Sequence, residues 1–420
     1  MKQRYDSYKS SGIDWIGDIP SHWNIAPIKQ ICRSERYAVK TGPFGSQLKG
    51  EDLREKGDIR VYNQRNVIDD DFSDVANFVT SEKAKELDSF YTKPNDLLIT
   101  SRGTIGKSAI LPSSVEMGIL HPCLIALRID FSEANLKWVQ RWINDSEAFR
   151  IEIVSKSNAT TIDVIYTETI KNIRLALPPL AEQEAIAAWL DEKCQEIDAA
   201  IAKIDREIEL IDELKQSEIS RVVTRGLNPD VSLRPSGIDW IGDIPGHWTI
   251  APFKRSLRIN NGCDYKHIVT DDGYPVIGSG GQFAYASDYL YDGEVLLLGR
   301  KGTIDRPMHF VGKFWTVDTM FYAIPNDNVC CKYMYYQALG FPYDYYSTAT
   351  ALPSMAASDL ANNPIIVPPL REQQEIADYL DKKCAEIDGL KAKLTKKRET
   401  LTELRQSIIS EVVTGKQKVI

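Results

Sequence analysis

The sequence predicts an α+β protein built from two mixed α/β globules. Two long helices forming an antiparallel coiled coil would join them with pseudo-twofold symmetry. Three observations carry this expectation. Residues 11–29, SGIDWIGDIPSHWNIAPIK, recur at 236–254 with 16 identities in 19 positions. Residues 177–224 recur at 367–414 with 26 identities in 48 positions, at a different offset. The stretches between the repeats, 30–176 and 255–366, share very little. Many similar short repeats would indicate a solenoid, whereas two long frames around unlike inserts indicate a duplicated, two-fold arrangement.

The elements follow in chain order. Each frame opens on a Trp-rich patch, Trp15-Ile16, Ile19-Pro20 and Trp23, repeated as Trp240-Ile241, Ile244-Pro245 and Trp248. It reads either as the edge of a globule packed on a helix end or as a symmetric docking patch for two identical partners. In the first insert, 58–62, 96–100 and 124–127 are short apolar runs bounded by Gly, Pro and Asp, as strands are, and 136–150 has a helical pattern. In the second, 275–277, 294–298 and 320–324 read as strands and 332–339 as a helix. Strict strand–helix alternation is missing, which favours α+β globules over a doubly wound sheet.

Each insert exits through a Pro-Pro-Leu step into a long amphipathic run. Proline suits the first helical turn, and Glu182 and Glu184 fall at the positive end of the first helix. Leu190, Cys194, Ile197, Ile201, Ile204, Ile208 and Ile211 alternate spacings of four and three, a coiled-coil seam. The second copy repeats it with Leu380, Cys384, Ile387, Leu394, Leu401 and Ile408, but sets Lys391 and Arg398 in the seam. The first helix is acidic where the second is basic, so antiparallel pairing would bring opposite charges together. At 1.5 Å per residue, about 44 residues give a spacer of about 66 Å. Removing one heptad from both helices should alter a distance that they set.

Composition narrows the function. The 420 residues carry 43% hydrophobic and 26% charged side chains, ordinary for a globular protein. No apolar run nears the roughly 18 residues of a membrane span. The opening MKQRYDSYKSS lacks a signal peptide's apolar stretch, so a cytoplasmic protein is expected. Seven cysteines without a CxxC pair argue against a disulfide framework and a zinc site. Net charge is −8, but 180–223 alone contributes −7, while 27–176 sums to zero and 252–366 to −2. The acidic excess thus sits on one helix, away from the inserts, and does not exclude nucleic acid.

The inserts share one local echo. Leu97-Leu98-Ile99-Thr100-Ser101-Arg102-Gly103-Thr104-Ile105-Gly106-Lys107 matches Leu296-Leu297-Leu298-Gly299-Arg300-Lys301-Gly302-Thr303-Ile304-Asp305-Arg306. A strand runs into a Gly turn flanked by cations and hydroxyls. Arg102, Thr104, Lys107, Arg300, Lys301, Thr303 and Arg306 are therefore candidates to meet phosphate or a guanine edge. The plainer reading is a tight turn with solvated charge. Other polar tips add Ser46, Gln47, Arg65, Asn66, Ser279 and Gln282. The paired segments Ser157-Asn158-Ala159-Thr160-Thr161 and Thr348-Ala349-Thr350-Ala351 add Thr160, Thr161, Thr348 and Thr350. These are the side-chain types that read base edges.

Catalytic signatures do not emerge. No Walker-type loop is present, and Asn362-Asn363-Pro364-Ile365 lacks the second proline and the aromatic of an Asn-Pro-Pro-aromatic motif. His121-Pro122-Cys123 and Cys330-Cys331 lack metal-ligand spacing.

With these motifs the chain resembles the specificity subunits of type I restriction-modification systems. The resemblance rests on GIDWIGDIPSHW and its repeat, GPFGSQLKG at 42–50, RGTIGK at 102–107, and RKGTIDRP at 300–307. It rests above all on LPPLAEQEAI and VPPLREQQEI with the helix ends ELKQSEISRVVT and ELRQSIISEVVT. It covers essentially the whole chain and implies four parts. Two target-recognition domains would span 1–179 and 226–369, and two spacer helices 180–225 and 370–420. It also implies a non-catalytic, DNA-binding subunit that reads a bipartite duplex site. Two methyltransferase subunits would dock on it, through Trp15, Trp23, Trp240 and Trp248 if the patches are interfaces, and would carry the restriction translocase. S-adenosylmethionine, ATP and Mg²⁺ would belong to those partners. The competing expectation from the residues is a coiled-coil adaptor that binds protein rather than DNA. Steep salt dependence of DNA binding separates the two.

Overall fold

The computed structural model describes residues 3–74, 76–156, 164–346 and 353–419. The chain divides into two compact units, one of residues 1–203 with 397–420 and the other of residues 204–396. Each unit therefore holds one globule and a portion of both long helices, a division that cuts across the four segments expected from the repeats.

Each repeat acts as a clasp. In the first unit, Asn24–Pro27 pairs antiparallel with Arg174–Leu177, the strand immediately before the first long helix. In the second, Thr249–Pro252 pairs in the same way with Pro364–Val367. The chain enters and leaves each insert through one two-stranded ribbon, which explains why both ends of the insert are repeated while its interior is not. The first turn of the frame is closed twice as well: Ser11 Oγ donates to the carbonyl of Ile13, and Ser236 Oγ to that of Ile238, each at 3.1 Å.

The first globule has a four-stranded antiparallel sheet in the order Val39–Thr41, Leu124–Leu127, Leu97–Thr100, Ser108–Ile110. A smaller three-stranded sheet, Phe78–Val79, Ile59–Tyr62 and Ile119–Leu120, adjoins it in sequence. Leu97–Thr100 and Leu124–Leu127 are buried at every position, which accounts for their unbroken apolar reading. The helix expected over 136–150 is two helices, Leu136–Asp145 and Glu147–Lys156, because Ser146 leaves helical geometry at ψ 125°. Asn135 caps the first of them by accepting from the Trp138 N–H at 3.0 Å.

The second globule carries a seven-stranded sheet. Its order is Leu257–Asn261, Met320–Pro325, Tyr291–Gly299, Met308–Thr316, Tyr274–Gly278, Gly281–Ala286, Val269–Thr270. All pairs are antiparallel except Tyr274–Gly278 with Met308–Thr316. Helix Cys331–Ala338 packs on it.

The long helices are Leu180–Arg225 and Leu370–Val413, of 46 and 44 residues. Within the first unit, Ile186, Leu190 and Cys194 share a core with Ile409, Val412 and Val413, and Arg405 pairs with Asp198 at 2.9 Å. Within the second, Ile219, Val222 and Val223 share a core with Ile376, Leu380 and Cys384. There Lys391 meets Asp212 and Lys215 meets Asp388, each at 2.7 Å. Partners rise along one helix as they fall along the other, so the pairing is antiparallel in both units. Asp198–Arg405 and Asp212–Lys391 set acid on the first helix against base on the second as expected, while Lys215–Asp388 runs the other way. Lys391 is compatible with the seam because its Nζ reaches both carboxylate oxygens of Asp212.

Candidate nucleic-acid interface

Strand direction gathers the candidate loops at one end of each sheet. In the first globule the chain leaves Val39–Thr41 and Leu97–Thr100, and enters Leu124–Leu127 and Ser108–Ile110, at the same edge, since Thr41 lies opposite Ile125 and Thr100 opposite Leu124. Gly42 packs so tightly on His121 that a Cβ would lie 2.1 Å from the His121 carbonyl oxygen, which seats the 42–47 loop there. The Ser101 N–H donates to the Cys123 carbonyl at 2.8 Å. The Arg102 turn needs Gly103 at φ +65°, as the Lys301 turn needs Gly302 at φ +84°. In both globules the residue before that glycine bridges the chain returning toward the clasp, Arg102 to Val164 and Lys301 to Ser354.

In the second globule, the ends of Leu257–Asn261, Tyr274–Gly278 and Tyr291–Gly299 converge with the turn 316–319. The Gly262 and Cys263 amides donate to the carbonyls of Met320 and Thr316, and the Arg300 amide to that of Thr319. The sheets differ in size and order, yet in each an interior strand, Leu97–Thr100 or Tyr291–Gly299, leads into the cationic turn at that end of the sheet.

The side chains separate into three groups. Arg102, Thr104, Lys107, Lys301 and Arg306 are exposed, and none of the four cations lies within ion-pair distance of a carboxylate among the described residues. Ser46, Gln47 and Gln282 are exposed and Ser279 and Thr303 half-buried; the Gln47 Oε1 accepts from the Phe44 amide at 3.1 Å. Arg65 is exposed but paired with Asp69 at 3.2 Å, one helical turn on. Arg300 is partly committed to the loop itself, donating to the Asp318 carbonyl at 3.2 Å with its guanidinium over Phe321. Thr160, Thr161, Thr348 and Thr350 lie outside the described residues.

Asn66 corrects the sequence expectation. It is 4% exposed, its Nδ2 donates to the carbonyls of Asp71 and Asp74, and its Oδ1 accepts from the Asn63 amide. Its amide is consumed in capping helix Gln64–Ile68 and cannot reach a base. The neighbour that does face the tip is Gln64: a Cβ on Gly103 would lie 3.4 Å from its Nε2. Only the fold reveals this, because Gln64 and Gly103 are far apart in sequence. Burial, with the nearby Arg102 guanidinium, holds His121 below the usual imidazole range.

The tryptophan patches are also partly corrected. Trp23 and Trp248 are 0% and 1% exposed and belong to the cores, so no partner can touch their rings. Trp15 is partly buried with its Nε1 donating to Glu152 at 2.7 Å, and Trp240 is 37% exposed, its ring edge-on to Phe341. The signature Glu-Gln of the Pro-Pro-Leu element holds each frame together. Glu182 binds His22 at 2.8 Å and accepts from the Tyr5 hydroxyl at 2.6 Å; Glu372 binds His247 at 2.8 Å and accepts from Trp248 Nε1 at 2.9 Å. Gln183 accepts from the Asn135 amide at 2.8 Å, and Gln373 from the Cys330 amide at 2.9 Å. Those two amides head the helices that cover each sheet. Sequence reasoning marked the motif as specific without finding this role.

Two globules of unlike topology, each closed by the same clasp and offering a cationic turn at one sheet end, on paired antiparallel helices, define a protein that presents two different binding surfaces on a duplicated frame. The type I restriction modification DNA specificity domain matches residues 20–210 and 251–397, and the chain belongs to that family. It is 22% identical to the putative type I restriction enzyme MjaX specificity subunit of Methanocaldococcus jannaschii, over 96% of each chain. It is 21% identical to the EcoKI specificity subunit of Escherichia coli K12, covering 95% of this chain and 90% of that one. In fold it is similar to a chain from a structure of type I R-M complex assembly and conformational transition, with TM-score 0.74 and 14% identity, over 94% of this chain and 98% of that one. It is also similar to the HsdS subunit from Thermoanaerobacter tengcongensis, with TM-score 0.55 and 15% identity over the same shares. Among the described residues no helix is long and apolar enough to cross a membrane.

Proposed function

We propose that this chain is the DNA-recognition subunit of a type I restriction-modification complex. Each globule reads one half of a split duplex site through its sheet-end loops. The supporting observation is the pair of equivalent cationic turns, Arg102-Gly103 and Lys301-Gly302, delivered by otherwise unlike inserts on one repeated frame. Positioning falls to backbone phosphates, met by Arg102, Lys107, Lys301 and Arg306. Specificity falls to the polar tips around them, Ser46, Gln47, Gln64, Thr104, Ser279, Gln282 and Thr303.

The frame is duplicated because its partners are alike: two methyltransferase subunits docking on equivalent surfaces that include Trp15 and Trp240, with the restriction translocase attached through them. In this reading the chain performs no chemistry, S-adenosylmethionine, ATP and Mg²⁺ are held by those partners, and the complex works in the cytoplasm, where the DNA is.

The test is a genome-wide adenine methylation map, by single-molecule sequencing, of cells expressing the chain with its cognate methyltransferase. A split motif with a fixed unread gap is expected. An assembled complex that produces no motif would overturn the proposal.

A further inference from the structure

The second globule brings together three side chains that no motif connects. Glu294 lies on the strand Tyr291–Gly299, His309 on Met308–Thr316, and Cys331 opens the helix Cys331–Ala338. His309 stands opposite Leu296, so Glu294 is its diagonal neighbour on the same face of the ribbon, and His309 Nε2 lies 2.7 Å from Glu294 Oε1. One donor atom from each of the three residues lies within 4.8 Å of the other two.

We infer that Glu294, His309 and Cys331 bind a divalent ion of the zinc type. The donor set decides the class: carboxylate, imidazole and thiolate together suit zinc or cobalt, whereas magnesium and calcium take oxygen ligands. The three donor atoms, within 4.8 Å of one another, lie near the spacing a bound ion imposes. Bonds of about 2.0–2.3 Å in a tetrahedral site keep ligand atoms about 3.3–3.6 Å apart, so the Glu294–His309 hydrogen bond opens by less than about 1 Å to admit the ion. Cys331 is 1% exposed and anchors the site in the core, while Glu294 is exposed and His309 half-buried, so the site opens to solvent on the Glu294 side. The ligands are 15 and 22 positions apart along the chain, so no short metal-ligand motif, such as was sought at His121-Pro122-Cys123 and Cys330-Cys331, links them. The ion would tie the ribbon that carries the 300–307 loop to the helix covering the sheet. The competing account is a cross-strand Glu–His pair above an ordinary core cysteine.

The experiment uses the full chain, stripped with chelator and titrated with Co²⁺, then competed with Zn²⁺. The expected result is one equivalent bound with a thiolate-to-cobalt charge-transfer band in the near ultraviolet. The band disappears in Cys331→Ser, and affinity falls by more than about tenfold in His309→Gln and Glu294→Gln, while Cys263→Ser, at an exposed cysteine, changes nothing. His309→Gln lies on a strand surface and keeps the question open to refutation if Cys331→Ser fails to fold. No stoichiometric uptake, a band that survives Cys331→Ser, or unaltered affinity in folded His309→Gln overturns the site. The result is independent of the DNA-recognition proposal.

Discussion

Gln183 and Gln373 show how much a single side chain can settle. Gln183 is fully buried and spans the gap between the clasp and the sheet-covering helix, accepting from Asn135 and donating to the Pro178 carbonyl at 2.9 Å. Gln373 does the same with Cys330 and the Pro368 carbonyl. Gln183→Leu or Gln373→Leu fits the space but orphans a buried amide and a buried carbonyl, at about 1–3 kcal/mol each. Thermal denaturation should show a clear drop for either variant; an unchanged midpoint would mean that water satisfies those groups. Asn66→Ala should behave likewise, destabilising the first globule without altering base preference at any position of the target. Arg102→Gln and Lys301→Gln should do the reverse. Stability is kept, DNA affinity falls, and the slope of log affinity against log salt flattens by about 0.9 for each phosphate contact removed. A slope unchanged in both would place these cations away from the DNA.

At the scale of elements, the long helices combine an apolar seam with complementary charge. Near the clasp of the second unit, Glu218 accepts from Arg221 at 2.8 and 3.0 Å and from the Tyr379 hydroxyl at 2.7 Å. The Arg221 hydrogen bonds, with that of Tyr379, hold its carboxyl down at about 2. A carboxylate depressed in the folded state adds stability above its ordinary value near 4.5, and loses it as pH falls toward about 2. Glu218→Gln should therefore cost stability at neutral pH, with the difference from the parent shrinking on acidification below about pH 4.5. Chemical denaturation at pH 7 and pH 3 reads this directly; a constant difference would deny the linkage. Lys391→Met should change stability by less than about 1 kcal/mol, since an exposed pair contributes little and methionine suits the seam.

For the whole chain, the repeats and inserts make separate predictions. Exchange of residues 30–176 for the insert of another family member should change one half of the methylated motif and leave the other half and the gap intact. A change in both halves would refute two independent binding surfaces. The sequence alone determined the duplicated frame, three strands in each insert, the two long helices and the acidic character of one against the basic middle of the other. Those signals are local: identity, periodicity and Pro-Pro-Leu steps lie within short windows. Strands such as Ser108–Ile110, Leu257–Asn261 and Met308–Thr316 became visible only in the sheets. The tertiary structure decided what depends on distant residues meeting. It turned Asn66 from a contact into a cap, buried Trp23 and Trp248, exposed the clamping role of Gln183 and Gln373, and set Gln64 beside Gly103. It also brought Glu294, His309 and Cys331 together from three elements. Whether a polar side chain is free to bind depends on which buried groups need it, and those groups are identified only by the folded chain.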